Sequence, residues 1–405
     1  MGMNKVRVLV LCGGRSAEHS VSVVSAGAIL RHLDRRRYNV SVVWIDQKGK
    51  WHTVSDLQPL LNTSLRELPR LTLGSQVVPV GKLPGLALIP LNGRRAPLGL
   101  PSSLSTAKGR RAPLGLPSSL STAKGRCEIA NSPTVDVVFP ALHGPMGEDG
   151  TVQGLLELAG VPYVGCGVLA SAAAMDKDVA LRLARQARVP TLPYLAFYVW
   201  EWKKDPAGWK RRIRNSFGYP VFVKPSRLGS SVGISKVRSP LQLGQAIQEA
   251  FRYDDKLIVE KALNGAREIE VSVLGEERPL VSVPGEVVPR HEFYTYEAKY
   301  LDPEGAELLV PAKLTAAQTW NVQELARRIF VALDGSGMAR VDFLMNPRSG
   351  ALYFGEINTI PGFTSISMYP RLWEASGISY SDLLDRLIRI ALNRHRRRKG
   401  LRIVP

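Results

Sequence analysis

An apolar run that stops at a glycine pair and is followed at once by helical spacing leaves a chain few ways to fold. Residues 6–11 (Val-Arg-Val-Leu-Val-Leu) read as a strand ending at Gly13-Gly14, and residues 20–33 place apolar side chains at helical intervals. Val40 to Ile45 reads as a second strand. Val135 to Ala141 reads as a third, running into His143-Gly144 and then a helix over about 150–159. Strand, glycine loop and helix in this order predict an α/β fold. The expectation is an N-terminal doubly wound, Rossmann-like domain on a parallel sheet, with its site at the strand C-termini.

Further along, helical spacing runs over Ala172–Ala187, and Val221 to Val223 reads as a strand at whose end Lys224 sits. Leu257 to Glu260 is another apolar run. Glu268 to Val273 alternates strictly, which predicts a half-buried strand. Two closing strands, Met338–Met345 and Ala351–Asn358, are separated by the turn Asn346-Pro347-Arg348-Ser349-Gly350, so a hairpin is expected. The last helix is expected over Ser381–Arg397.

Composition decides between classes. With 405 residues, two to three domains are expected. Hydrophobic residues at 45% and charged residues at 22% exclude disorder along the whole length. No apolar run approaches the roughly 20 residues a membrane-spanning helix needs. The run Val8–Leu11 is too short for a signal-peptide core, and Cys12, Cys127 and Cys166 make neither a disulfide framework nor a zinc site. A cytoplasmic location is therefore expected.

The charge is less ordinary: 54 Lys+Arg against 35 Asp+Glu, a net of +19. Such a balance suggests nucleic acid or an anionic surface. Its distribution argues otherwise. Residues 93–126 hold seven Lys/Arg and no acid, residues 394–402 hold six and no acid, and the other 362 residues carry only +6. The first block is a repeat: the 16 residues Gly93–Lys108 recur unchanged as Gly109–Lys124. Two prolines, two glycines and scattered leucines per unit read as a duplicated, disordered loop insertion. The second block reads as a solvated tail that complements the last helix's dipole. Neither interleaves aromatics with its cations as single-strand binders do, so neither a nucleic-acid nor a membrane partner is expected.

Chemistry-bearing residues fall in two places. Lys224-Pro225-Ser226-Arg227-Leu228-Gly229-Ser230-Ser231 joins a lysine at a strand end to a small flexible loop. That pairing suits a polyphosphate, or is a plain Gly/Ser hairpin. On the closing hairpin, Arg340 and Asp342 share one strand face, and Glu356 and Asn358 repeat the arrangement. Pairing would gather hard oxygen ligands for Mg²⁺ and nucleotide phosphates, or form an ordinary solvated sheet face. The apolar Val341, Phe343 and Ile357 would then face the other way.

Next comes Thr359-Ile360-Pro361-Gly362-Phe363-Thr364-Ser365-Ile366-Ser367, a Pro-Gly turn that can supply an amide to a developing oxyanion. With this segment the chain resembles the ATP-grasp ligases, and more narrowly the D-alanine–D-alanine ligase family. Gly13–Ser22 (GGRSAEHSVS), His143–Gly150 (HGPMGEDG), Ala174–Lys177 (AMDK) and Tyr296–Leu301 (YEAKYL) carry the narrower likeness, from about residue 6 to 390 outside the repeat.

The resemblance implies an N-terminal α/β domain over 1–165 and a two-lobed ATP-grasp fold. The central lobe would span 166–263. The C-terminal lobe would span 264–405, with a mobile flap at 292–311. It implies ATP and two Mg²⁺, with Mn²⁺ as a substitute, and joining of two D-alanines through a D-alanyl phosphate for peptidoglycan precursors. Lys177, Lys224 and Lys299 would contact phosphates, with the amides of Ser230 and Ser231. Asp342, Glu356 and Asn358 would hold the metals. Arg340 and the Gly362 amide would face the oxyanion.

By the same resemblance, Glu18 would take the first D-alanine's ammonium and Ser367 the second's carboxylate. His143 would lie near the second substrate, and Tyr300 would close the site onto Ser230 and Glu18. Glu260, Lys261 and Leu263 would frame the adenine. A ribose-binding glutamate is expected about seven residues after Glu260, where Arg267 stands; Glu268, one later, is taken for it. Glu297-Ala298-Lys299-Tyr300 looks like the dipeptide-forming kind of flap, which implies D-alanine rather than D-lactate or D-serine as second substrate. Ligases of this kind are commonly homodimers.

Overall fold

The computed structural model describes residues 5–64, 68–81, 86–90, 135–290 and 305–402. Three sheets follow one another along the chain. The repeat at 93–126, Cys127 and most of the flap, with Lys299 and Tyr300, lie outside the described residues.

The first sheet holds β1 (Val6–Gly13), β2 (Tyr38–Ile45), β3 (Trp51–Val54), β4 (Leu73–Gly81), β5 (Leu86–Pro90) and β6 (Val137–Pro140), in the order β5-β4-β3-β2-β1-β6. β2, β1 and β6 are parallel, as the glycine-loop pattern requires. β3, β4 and β5 extend the sheet antiparallel, an extension the apolar runs do not announce. Helices α1 (His19–His32), α2 (Gln58–Leu61) and α3 (Thr151–Leu158) accompany it. Val8, Val10 and Cys12 pack against α1 on one face, while Leu9 and Leu11 meet Val152 and Leu156 of α3 on the other. Burial on both faces explains the near-continuous apolar run of β1.

At the end of β1 the chain must turn left-handed. Gly13 has φ +88°, and a Cβ there would stand 2.2 Å from the Ile45 carbonyl oxygen. Only glycine fits. The turn lets the Gly13 amide donate to Ser22 Oγ (2.7 Å), and that hydroxyl donates to the Ala141 carbonyl (2.5 Å), tying the glycine loop, α1 and the end of β6 together.

The second sheet is antiparallel, ordered β7-β10-β8-β9, with β7 (Tyr194–Tyr198), β8 (Val221–Pro225), β9 (Ser235–Val237) and β10 (Lys256–Lys261). Around it lie α4 (Val168–Met175), α5 (Lys177–Gln186), α6 (Val199–Lys204), α7 (Pro206–Phe217) and α8 (Pro240–Ala250). The single helix expected over 172–187 is broken at Asp176, whose ψ of 103° is extended and whose carboxylate accepts the amides of Asp178 and Val179. An N-cap in mid-pattern starts a second helix, although the apolar spacing runs on through it.

The third sheet, also antiparallel, runs β14-β13-β11-β15-β16 with β12 beside β11. Its strands are β11 (Arg267–Gly275), β12 (Leu280–Val281), β13 (Gly285–Pro289), β14 (Ala306–Leu309), β15 (Gly337–Met345) and β16 (Leu352–Asn358). β14 occupies the end of the expected 292–311 flap, so that stretch is not loop throughout. β11 is central and buried on both faces from Ile269 to Leu274, not half-buried as its alternation suggests. Ile269, Val271 and Val273 face α9 (Ala316–Ala332), while Ser272 on the other face donates to the Tyr369 carbonyl.

Helices α10 (Met368–Ala375) and α11 (Tyr380–Lys399) close the chain. α11 returns to the first sheet, packing Leu383, Leu384, Leu387 and Ile388 into the core beneath Val8 and Val10. Its basic end is exposed from Arg396 on, but it is not wholly a solvated tail. Arg394 is buried, Arg398 pairs with Glu157 at 2.7 Å, and Arg397 pairs with Glu276.

Candidate active site

Strand parity makes the second and third sheets face each other. Val221, Val223, Leu257 and Val259 sink into the outer core beneath α7 and α8, so Phe222, Lys224, Ile258 and Glu260 take the inner face. On the third sheet Val341, Phe343 and Ile357 are buried against α9, leaving Arg340, Asp342, Glu356 and Asn358 on the opposite face, as expected. The hairpin pairs them: Arg340 stands opposite Asn358, and Asp342 opposite Glu356. A bulge at Gly355 follows the second pair. A Cβ there would stand 3.2 Å from the Asp342 carbonyl oxygen, so glycine keeps the two strands close.

The charges on this surface are interlocked. Arg340 binds both Asp342 oxygens (2.8 and 2.7 Å) and reaches Glu270 at 3.0 Å; Asn358 donates to Asp342 at 3.1 Å. Burial disfavours the guanidinium charge, but Asp342 and Glu270 outweigh it and push the Arg340 pKa well up. Across the cleft Lys224 donates to Glu260 at 2.7 Å. Burial again works against the ammonium, and Glu260, with Glu356 and Glu268 further off, raises its pKa. The Lys177 ammonium donates to the Leu228 carbonyl at 2.5 Å and lies 3.6 Å from Glu356. Lysines from the central region therefore meet the carboxylates of the third sheet.

The loop after β8 carries strain. Ser230 (φ 51°) and Ser231 (φ 60°) are consecutive non-glycine residues in the left-handed region. Such residues cost about 1 kcal/mol or more each and concentrate at functional sites. Ser230 Oγ donates to Glu18, in the loop after β1, so the first sheet's glycine loop and the phosphate-type loop touch.

On the far side, Ser367 Oγ accepts the Thr364 amide at 3.0 Å and lies 2.7 Å from where a Gly362 Cβ would be, which holds Ser367 against that backbone. His143 is buried, its Nδ1 3.0 Å from the Ile360 carbonyl and its Nε2 3.3 Å from Ser25 Oγ. Burial, more than the opposing pull of Glu18, lowers its pKa below the ordinary 6.5.

An unfolded chain takes up a proton at His143 below pH 6.5 that the folded chain refuses, so stability falls as pH drops through that window. His143→Gln should flatten this loss in urea midpoints measured from pH 7 down to 5; identical slopes in both proteins would contradict it.

Of the residues singled out by sequence, Glu18, Lys177, Lys224, Ser230, Ser231, Glu260, Glu268, Arg340, Asp342, Glu356 and Asn358 line this inter-sheet region or its rim. Lys299 and Tyr300 are not described. Glu268 shares a strand face with Glu270, opposite Leu344 on β15, and so points into the cleft. Arg267, which stands at the expected ribose spacing, instead forks onto Glu286 (2.8 and 2.6 Å). Lys261 is exposed and its amide is donated to the Pro193 carbonyl at 3.0 Å, so an adenine there would not meet that donor.

Two acids were missed. Glu270 was readable from the Glu-x-Glu alternation it shares with Glu268. Glu148 lines a small cavity with Lys177, Leu228, Gly229, Glu356 and Asn358, and accepts the Gly144 amide at 2.8 Å. Burial and then Glu18 push its carboxyl well above the usual range. The Gly-Glu-Asp-Gly turn after β6 was its only signal.

Two antiparallel sheets closing on a cleft, lysines and a strained loop on one side and hard oxygen donors on the other, define an ATP-grasp enzyme. Residues 7–166 match the family model described as D-ala D-ala ligase N-terminus, and residues 183–389 match that for the D-ala D-ala ligase C-terminus. A D-alanine–D-alanine ligase of Heliobacterium modesticaldum is 46% identical over 399 residues, spanning 98% of this chain and 97% of that one. Among solved structures, the D-alanine-D-alanine ligase of Coxiella burnetii superposes with a TM-score of 0.78 at 33% identity, covering 98% and 96% of the two chains. The VanG D-Ala:D-Ser ligase of Enterococcus faecalis superposes at 0.76 and 32% identity, covering 96% and 100%. The chain belongs to the D-alanine–D-alanine ligase family.

Proposed function

We propose that the protein joins two D-alanines at the expense of ATP, through a D-alanyl phosphate, and so supplies a dipeptide for peptidoglycan precursors. The observation that carries this is the meeting of Lys177 and Lys224 with Glu356, which shares its sheet face with Asp342 and Asn358, in a chain 46% identical to a D-alanine–D-alanine ligase. Lys177, Lys224 and Lys299, with the Ser230 and Ser231 amides, would hold the phosphates. Glu260, Lys261 and Leu263 would frame the adenine, and Glu268 the ribose.

Two carboxylates and one amide on paired strands fit a hard divalent cation that takes its remaining ligands from phosphate and water. Mg²⁺, or Mn²⁺ in its place, is the cation of that kind that we propose. Two such ions, held by Asp342, Glu356 and Asn358, would neutralise charge as the γ-phosphoryl group moves.

In the first step the carboxylate of one D-alanine, its ammonium held by Glu18, attacks the γ-phosphorus, and ADP leaves. In the second, the amine of another D-alanine, its carboxylate near Ser367 and His143, attacks the acyl carbonyl. Arg340 and the Gly362 amide stabilise the oxyanion, and phosphate departs. Tyr300 and the flap would shut water out. We place the protein in the cytoplasm and expect a homodimer. Among the described residues no helix is long and apolar enough to cross a membrane.

The test is phosphate release with ATP, Mg²⁺ and D-alanine. D-alanine-dependent release, with D-alanyl-D-alanine as product, is expected. No release would refute the proposal. Equal or faster use of D-lactate or D-serine as second substrate at neutral pH would overturn the substrate assignment.

A further inference from the structure

Beneath the phosphate-binding lysines lies a buried charge network that the reaction as described does not use. Lys256, at the start of β10, is only 4% exposed. Its ammonium lies 3.0 and 3.1 Å from the two Asp176 oxygens and 2.7 Å from Asp178 Oδ2. Those two carboxylates flank Lys177. Ser226, fully buried, adds a donor to Asp176 at 2.8 Å. The backbone repeats the link: the Ser226 amide donates to the Lys256 carbonyl, and the Lys177 amide to the Ser226 carbonyl, each at 2.9 Å. Ser226 is two residues after Lys224, whose strand pairs with β10 with Leu257 opposite Pro225 and Ile258 opposite Lys224.

We propose that Lys256 is a positioning residue for ATP: by clamping Asp176 and Asp178 it fixes the N-terminus of α5, and through Ser226 it sets Lys177 and Lys224 at one spacing for the phosphates. The inference rests on the reading of those two lysines as phosphate contacts. Several features point to a clamp rather than packing. A lysine of this burial is costly unless paired, and here it meets two carboxylates that lie on either side of a single functional side chain. Asp176 cannot do the work alone, because one of its oxygens already caps α5 and accepts from Ser226. Asp178 is further braced by the Tyr194 hydroxyl at 3.0 Å and by Arg182 at 3.0 Å, so the clamp stands on a rigid base. Burial works against the Lys256 ammonium, but Asp178 and Asp176 hold its pKa above the ordinary lysine value, and Asp176 is held below the ordinary carboxylate value. Lys256 and Asp176 are therefore charged throughout the neutral range.

The test compares Lys256→Met, Lys256→Arg, Ser226→Ala and Lys177→Ala in the full chain. Affinity for a non-hydrolysable ATP analogue with Mg²⁺ is read by calorimetry, beside KM for ATP and for D-alanine, kcat and Tm. Because a lost ångström of alignment costs large factors, Lys256→Met should weaken analogue binding and raise KM for ATP by about tenfold while KM for D-alanine stays within about twofold. Lys256→Arg should recover most of the loss, and Ser226→Ala should show a smaller change in the same direction. If Lys256→Met does not fold, Ser226→Ala decides.

A folded Lys256→Met with unchanged ATP affinity would overturn the proposal. So would a wild-type Ser226→Ala beside variants that merely lose Tm and kcat without a selective rise in KM for ATP. Unchanged ATP binding in Lys177→Ala would instead sink the phosphate-site reading itself.

Discussion

Replacing Asp342 by alanine should lower D-alanine-dependent phosphate release by about a thousandfold, a loss of about 4 kcal/mol of transition-state stabilisation. The size follows from its position. Asp342 stands opposite Glu356, accepts from Asn358, and is gripped by two Arg340 nitrogens, so it would join the surface proposed for the cation to the guanidinium proposed for the oxyanion. Its removal would leave Glu270, at 3.0 Å, as the carboxylate holding Arg340, and let the guanidinium swing away from the place proposed for the reacting carbonyl.

Asp342→Asn separates the two roles. The amide oxygen can still accept from Arg340, but the charge that would hold the divalent cation is gone. If the carboxylate is a metal ligand, Asn should be nearly as inactive as Ala, with a normal Tm and partial recovery in excess Mn²⁺. If Asp342 only orients Arg340, Asn should keep activity within about tenfold of wild type, and the metal assignment then fails.

The surface that makes this prediction possible was readable from residues two apart. Arg340 with Asp342, and Glu356 with Asn358, sit at the period of a strand, and the turn Asn346–Gly350 between the two runs brings them together. The same holds for Glu268 and Glu270. What could not be read was set by contacts distant in sequence. Nothing in the apolar spacing of 172–187 marks Asp176 as a break, and the groups that hold its capping carboxylate in place, Lys256 and Ser226, lie 80 and 50 residues away. The antiparallel edge of the first sheet was hidden for a related reason: Trp51–Val54 is a short strand of intermediate exposure, recognisable only beside β2. Glu148 carries no strand or helix pattern of its own, and only the folded loop brings its carboxyl to the cavity that Lys177 and Glu356 line.

The basic C-terminal run is where local reading failed most. Taken as sequence, six cations without an acid are a solvated tail, yet three of them, Arg394, Arg397 and Arg398, meet acids and carbonyls from distant parts of the chain. Arg394 is the centre of this. Its guanidinium donates to the Gly165 carbonyl at 2.6 Å, the Tyr163 carbonyl at 2.8 Å and Ser336 Oγ at 3.0 Å, and it lies 4.5 Å over the Tyr163 ring. Ser336 in turn donates to Glu276 at 2.6 Å, and Glu276 receives Arg397. One side chain of the last helix therefore joins the strand-end segment leaving the first sheet to the turn that opens β15, the strand bearing Arg340 and Asp342.

Arg394→Met should keep the stem's packing and lose every donor, stranding two carbonyls in a buried site while Ser336 keeps only Glu276. We expect a cost of about 3 kcal/mol and an apparent Tm lower by roughly 6–12 °C, well beyond a surface substitution. Arg394→Lys should fall between, because a single ammonium cannot reach carbonyls and hydroxyl in the fork geometry of a guanidinium. Arg396→Met, in the same exposed run, serves as the reference and should leave Tm unchanged. Equal Tm for Arg394→Met and Arg396→Met would return the run to a solvated tail. A fall confined to Arg394 would establish that part of the +19 is spent inside the protein, fastening one sheet to another.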